Sequence, residues 1–144
     1  MRIENSIDQF NDEIFGEYIH FYTRQQAIED GTLTDVSTTA KEAGFKIPVA
    51  VTSAVWHDCI EWTEEDNEKK ETYQDLEGRL WDVLYMLHVA IKSSASQANT
   101  ILYQLYVVPR DGKSKHAKEI TLKSMISGGD RSEPVITIML ANED

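Results

Sequence analysis

The tetrapeptide Trp56-His57-Asp58-Cys59 places an imidazole, a carboxylate and a thiol side by side, the groups that ligate metals or act as bases and nucleophiles. On a helix, His57 and Glu61 are neighbours at i,i+4, whereas Asp58 and Cys59 point elsewhere. A His-Asp dipeptide is only part of a metal site, which needs further histidines and a distant aspartate to complete its ligand set. His20, His88 and His116 are scattered without ligand spacing. Cys59 shares an apolar stripe with Val51, Val55 and Trp62, where a thiolate would be costly. The residues therefore predict a surface His57, a structural Cys59, and neither a metal nor an organic cofactor.

A second set is Arg24, Asp30, Asp35, Arg79 and Asp82. Arg79 and Asp82 are i,i+3 and able to pair. Asp30 falls at the C-terminal end of a short helix, against the dipole, so it needs a partner, and Arg79 is a candidate. One reading is an ion-pair network that locks helix to helix. The other is a polar cleft between the head of the chain and its longest helix, formed by Arg24, Asp30, Asp35, Trp56, His57, Arg79 and Asp82, with Trp81 on its wall. A third set, Arg110, Lys113, Lys115, His116, Lys118 and Lys123 beside Tyr103 and Tyr106, mixes cations with aromatics as a nucleic-acid contact would. The acidity of the remainder opposes that, and a solvated hairpin is expected. No nucleophile elbow, phosphate loop, dinucleotide fingerprint or metalloprotease helix occurs.

The elements that must position these groups begin with a lead segment. Ile3, Ile7, Phe10, Ile14, Tyr18 and their neighbours form a helical stripe interrupted near Gly16. Thr23 and Gln26 fit a capping box, and the short helix that starts at Arg24 runs to Gly31, which stops it. Thr32 to Val36 reads as an extended link. Ser37 caps a second helix closed by Gly44-Phe45, the arrangement in which an apolar residue folds back on the last turn. Pro48 is expected to open a third helix. The run from Thr63 to Thr72 is nearly all charge and reads as a solvated loop or a frayed helix start. Leu76, Leu80, Val83, Leu84, Leu87 and Ile91 then share one face and predict the longest helix. Gly78 within it marks a close approach or the helix start.

Downstream, Ile101–Val108 is β-branched and aromatic on both faces, which suits a central strand. Glu119–Lys123 alternates, and Val135–Leu140 follows Pro134 at a strand start. Turns at Pro109–Gly112 and Ser127–Ser132 separate the three. The expectation is a single α+β domain over 1–144: a mainly helical layer (1–100) packed on a three-stranded antiparallel meander (101–144).

The stretch YTRxQAIxDGxLxDVSxxAxEAGFxxPVAVTxAVWxDC, the GRLWDVL segment from Gly78 and the EPVITIML tail from Glu133 resemble a family of small uncharacterised proteins from phages, plasmids and integrative elements. The resemblance spans most of the chain. It implies carriage by a mobile element, and it brings no activity and no catalytic residues.

The net charge of −11 is unevenly spread: residues 1–100 hold 8 basic and 19 acidic side chains, residues 101–144 hold 6 of each. Such acidity disfavours nucleic acid and anionic membrane and favours a protein partner with a basic surface. A lone cysteine excludes an internal disulfide. The start of the sequence carries acids where a signal peptide needs a basic then an apolar run, and no apolar run approaches the roughly 20 residues of a membrane helix. A cytoplasmic protein is expected. The function these features favour is a non-enzymatic accessory protein of a mobile element, acting by binding a host or element-encoded protein, in one version by imitating a nucleic-acid backbone. The alternative is a small enzyme using the polar cleft.

Overall fold

Pro48 and Pro134 each stand where a strand begins, and the two strands lie side by side in the centre of the fold. In the computed structural model, which describes residues 22–94 and 98–143, the elements run in a mixed order. They are α1 (Arg24–Asp30), β1 (Leu33–Asp35), α2 (Ser37–Glu42), β2 (Val49–Thr52) and α3 (Ser53–Val55), which continues into a π-helical turn (Trp56–Ile60). Then come α4 (Glu64–Lys70), α5 (Leu76–Ser93), β3 (Thr100–Val107), β4 (Lys118–Gly128) and β5 (Pro134–Leu140). The lead-segment stripe lies outside the described residues. Among the described residues no helix is long and apolar enough to cross a membrane.

The five strands form one mixed sheet in the order β1-β2-β5-β4-β3. β2 runs parallel to β5, with Val49 opposite Ile136 and Val51 opposite Ile138, and the other three pairings are antiparallel. This corrects the expected three-stranded antiparallel sheet under a separate helical layer: the first half of the chain supplies two strands of the sheet itself. The physical reason is the length of the Val49-Ala50-Val51 run. Three consecutive buried residues, apolar on both faces, fit an interior strand with a parallel neighbour. Their spacing to Val55 and Cys59 equally fits a helix, and periodicity cannot separate the two over so short a run. Thr52 then caps α3 through its hydroxyl, which accepts from the Val55 amide at 3.3 Å. β3, expected to be central, is an edge strand; Tyr103, Leu105 and Val107 face the core while Leu102 and Tyr106 face solvent.

Other local signals hold. The Thr23–Gln26 capping box is present, and Gly31 closes α1 at φ 84°. Phe45 folds back so that its amide donates to the Ala40 carbonyl at 2.9 Å. Ser37 is the first residue of α2 rather than its cap; its hydroxyl receives the Val49 amide and ties the helix to β2. α5 starts two residues before Gly78, with Asp75 as cap: its Oδ1 accepts from the Gly78 amide at 2.7 Å, and a Cβ on Gly78 would approach that oxygen to 2.9 Å. The glycine keeps the cap accessible.

The core lies between α5 and one face of the sheet. Leu80, Val83, Leu84 and Leu87 meet Val51, Val55, Tyr103, Leu105, Leu122 and Ile138. The Tyr103 hydroxyl donates to the Val83 carbonyl at 3.0 Å, so a buried polar atom is satisfied by the helix that covers it. Ala50, Thr137 and Met139 alternate to the opposite face, where the Arg24 guanidinium of α1 donates to Thr137 Oγ1 and the Ile136 carbonyl. Leu84 is fully buried. Leu84→Ala should therefore cost about 2–5 kcal/mol of stability, read from chemical denaturation; a midpoint that does not move would place the α5 core face elsewhere.

Candidate functional site

The π-helical turn sets the first part of the site. Its wider winding, closed by the Glu61 amide donating to the Trp56 carbonyl at 2.8 Å, buries Cys59 and Ile60 and leaves His57 and Asp58 exposed. Such turns occur often at functional positions. His57 Nε2 lies 3.0 Å from an Asp111 carboxylate oxygen and Nδ1 lies 3.7 Å from Glu61. Hydrogen bonding to Asp111, then the negative charge of Asp111, Asp58 and Glu61, raises the imidazole above the ordinary histidine range. Burial pushes the Cys59 thiol up to about 12, so it is an inert core residue, as its sequence position implied.

The second part is α4, which carries no apolar period because its inner face is polar. Asp66, Asn67 and Lys70 are all buried. Asp66 and Thr63 form a capping box, and the same carboxylate receives Arg110 Nε at 2.8 Å. Lys70 Nζ donates to the carbonyls of Gly112 at 3.0 Å and Ser114 at 2.7 Å, clamping the β3–β4 loop. Arg110 also meets Glu61 at 2.9 Å, and Lys115 meets Glu71 at 2.8 Å. The basic loop thus turns inward onto the acidic helix. The charge run expected as a loop or frayed start is a helix held by these contacts.

Asn67 orients the connection to α5. Its Oδ1 accepts from Trp62 Nε1 at 2.9 Å and from the Gln74 amide at 2.7 Å, while Nδ2 donates to the Gln74 carbonyl. With Gln74 held on both backbone groups, Tyr73 projects fully into solvent between two shallow depressions. One is bordered by Glu64, Glu68 and Glu71, the other by Asp75, Arg79 and Asp82. On the adjoining stripe of α5, Trp81 and Tyr85 stack at 6.4 Å and both are exposed. Tyr73 thus stands as an exposed ring among carboxylates. No local signal in the sequence marks Asn67, Lys70 or Tyr73; the T-x-x-D box at Thr63 hinted only at the start of α4.

The seven residues of the expected polar cleft fall at separate places. Arg24 and Asp35 line a small depression with Asp130 and Glu133, where Asp130 caps α1 by accepting from the Arg24 and Gln25 amides. Burial lowers the Arg24 pKa, against the raising effect of those three acids. Asp30 receives the Tyr22 hydroxyl at 2.9 Å. Trp56 packs on the core, and His57 joins Asp111. Arg79 and Asp82 share the depression beside Tyr73. The Arg79 guanidinium is directed inward: it donates to the carbonyls of Ile60, Asp58 and Val108 and to Gln74 Oε1, and stacks 4.3 Å from the Trp62 ring centre. Burial lowers its pKa, and burial raises that of Asp82.

Residues 10–144 match the model of a family described as a family of unknown function (DUF6573), and the chain belongs to it. No curated protein matches the chain. No solved structure matches it either.

Two measurements check these networks. Arg79→Lys keeps the charge but loses the planar fork and the stacking, so it should lower stability by about 2–3 kcal/mol; an unchanged melting temperature would show the carbonyl contacts to be idle. Burial tends to raise the Asp66 carboxyl, but hydrogen bonds from Thr63 and Arg110 outweigh it and leave its pKa below the usual range. A lowered folded pKa stabilises fully above the ordinary aspartate value and fades as pH falls through the lowered one. Asp66→Asn should therefore be less stable at neutral pH and lose less on acidification, whereas parallel pH profiles would remove the linkage.

Proposed function

We propose that this chain, taken as a member of that family, is a non-enzymatic accessory protein of a mobile genetic element that acts by binding a protein with a basic surface. The observation that carries the reading is the fully exposed Tyr73, which stands between Glu64 and Glu68 on one side and Asp75 and Asp82 on the other, with the exposed Trp81–Tyr85 pair further along α5. Exposed aromatics of this kind anchor protein interfaces, and rings beside carboxylates suit lysine and arginine by charge and by cation–π contact.

Part of the acidic run is engaged within the molecule. Glu61 and Asp66 meet Arg110, Glu71 meets Lys115, and Asp75 caps α5. The carboxylates directed outward are fewer and are mixed with rings, which supports recognition of cationic side chains more than imitation of a regular phosphate backbone. A partner recovered from the host should bind the wild-type chain with a dissociation constant that weakens at least about tenfold between 0.05 and 0.5 M salt, as screening shortens the reach of the charges. Tyr73→Ala and the Glu64→Gln, Glu65→Gln, Glu68→Gln triple variant should each weaken it by about 5-fold or more, the loss expected of an interface anchor. Salt-independent binding that both variants retain would discard this face as the contact.

A further inference from the structure

The turn that exposes His57 and Asp58 faces the start of the β3–β4 loop, and that loop delivers Asp111 from 53 positions beyond Asp58. One ligand-capable atom from each of His57, Asp58 and Asp111 lies within 4.8 Å of the other two, a grouping not repeated among the described residues. We propose that His57, Asp58 and Asp111 bind one first-row divalent cation of the zinc type, with its remaining coordination positions open towards the adjoining cavity. Three observations converge on it.

The first is the ligand set. One imidazole nitrogen with two carboxylates suits zinc and its neighbours, whereas calcium and magnesium take oxygen alone. Donors about 2.0–2.2 Å from a tetrahedral ion stand roughly 3–4 Å apart. The three groups must close by about 1 Å, and all three side chains are exposed.

The second is the outer shell. A histidine ligand needs its other ring nitrogen fixed by a carboxylate or carbonyl. His57 has Nε2 towards Asp111 and Nδ1 towards Glu61, and Glu61 is itself held by Arg110 Nη1 at 2.9 Å. Binding an ion replaces the Nε2···Asp111 contact with two metal bonds and leaves Nδ1 facing the Glu61 carboxylate at 3.7 Å, from where a small approach makes the outer-shell hydrogen bond. Lys70, gripping the carbonyls of Gly112 and Ser114, keeps the loop that carries Asp111 in reach of the turn.

The third is the cavity of about 310 Å³ beside the cluster. Asp58 and Asp111 line it together with the apolar Val107, Pro109, Ile120 and Leu140 and the cationic Arg110 and Lys118. Two of the three ligands therefore border a hollow with apolar walls and two cations, able to admit a small anionic molecule to the open positions of the ion. Closed structural zinc sites lack such a hollow.

The test uses the full chain without an affinity tag, stripped by chelation and titrated with Zn²⁺ in a calorimeter and with Co²⁺ by visible absorption. One ion per chain is expected, with a rise in melting temperature. His57→Ala and Asp111→Asn should each weaken Zn²⁺ by more than tenfold and abolish that rise, and Glu61→Gln should weaken it by roughly 10-fold or more through the lost outer-shell contact. His116→Ala, whose imidazole lies outside the cluster, should bind as the wild type does. Since His57 and Asp111 are exposed, each variant is expected to melt near the wild-type temperature without metal, which separates loss of binding from loss of fold. No saturable binding at millimolar Zn²⁺, binding unchanged by His57→Ala, or binding removed by His116→Ala would each overturn the site.

Discussion

The buried guanidinium of Arg79 is the contact on which the functional end of the molecule depends. A charge held in the interior is stable only when each of its donors meets an acceptor. Here the acceptors are the carbonyls of Asp58 and Ile60 at the end of the π-helical turn, that of Val108 where β3 ends, and the Gln74 side chain ahead of α5. Trp62 closes the remaining face of the ring system. One side chain thereby joins four segments that no strand pairing connects. The turn bearing His57, the loop bearing Asp111 and the connection bearing Tyr73 all begin from residues that Arg79 or its neighbours hold.

α4 works with it by an unusual division of surfaces. Seven residues give too little length for a self-supporting helix, and this one has no apolar stripe to bury. Its stability comes from three buried polar residues with separate tasks: Asp66 receives Arg110, Asn67 fixes Gln74, and Lys70 caps the loop carbonyls. Because every inward group is satisfied, Glu65 and Glu68 are left for solvent or a partner, while Glu64 also accepts from Asn67 Nδ2 at 3.5 Å. The charge asymmetry of the sequence is in part an internal match, acids of α4 against cations of the β3–β4 loop.

What was legible in the sequence follows the range of each signal. The α5 stripe from Leu76 to Leu87 repeats over three turns and reports its buried face directly, and the Thr23–Gln26 capping box and the glycine stops are complete within a few residues. β2 was hidden because Val49–Thr52 is four residues long and apolar on both faces, with a proline ahead of it that suits a helix or a strand equally. The sheet consequently looked three-stranded. α4 was hidden because a polar buried face has no hydrophobic period. The meeting of His57 with Asp111 had no local trace at all, since it depends on a turn wound one residue wider than an α-helix and on a lysine that clamps a loop some forty residues away.

That last dependence explains why the chemistry-bearing dipeptide was readable while its setting was not. A regular α-helix would also set His57 beside Glu61 and Cys59 inward; in the π turn that replaces it His57 and Asp58 are both exposed while Cys59 and Ile60 are both buried. The wider turn leaves the carbonyls of Asp58 and Ile60 facing Arg79. Buried cation and exposed cluster are thus two sides of one irregularity: the carbonyls that satisfy Arg79 belong to the same five residues that present His57 and Asp58 to the loop. Straightening the turn would withdraw acceptors from a buried charge, and so the core itself holds the exposed pair in place.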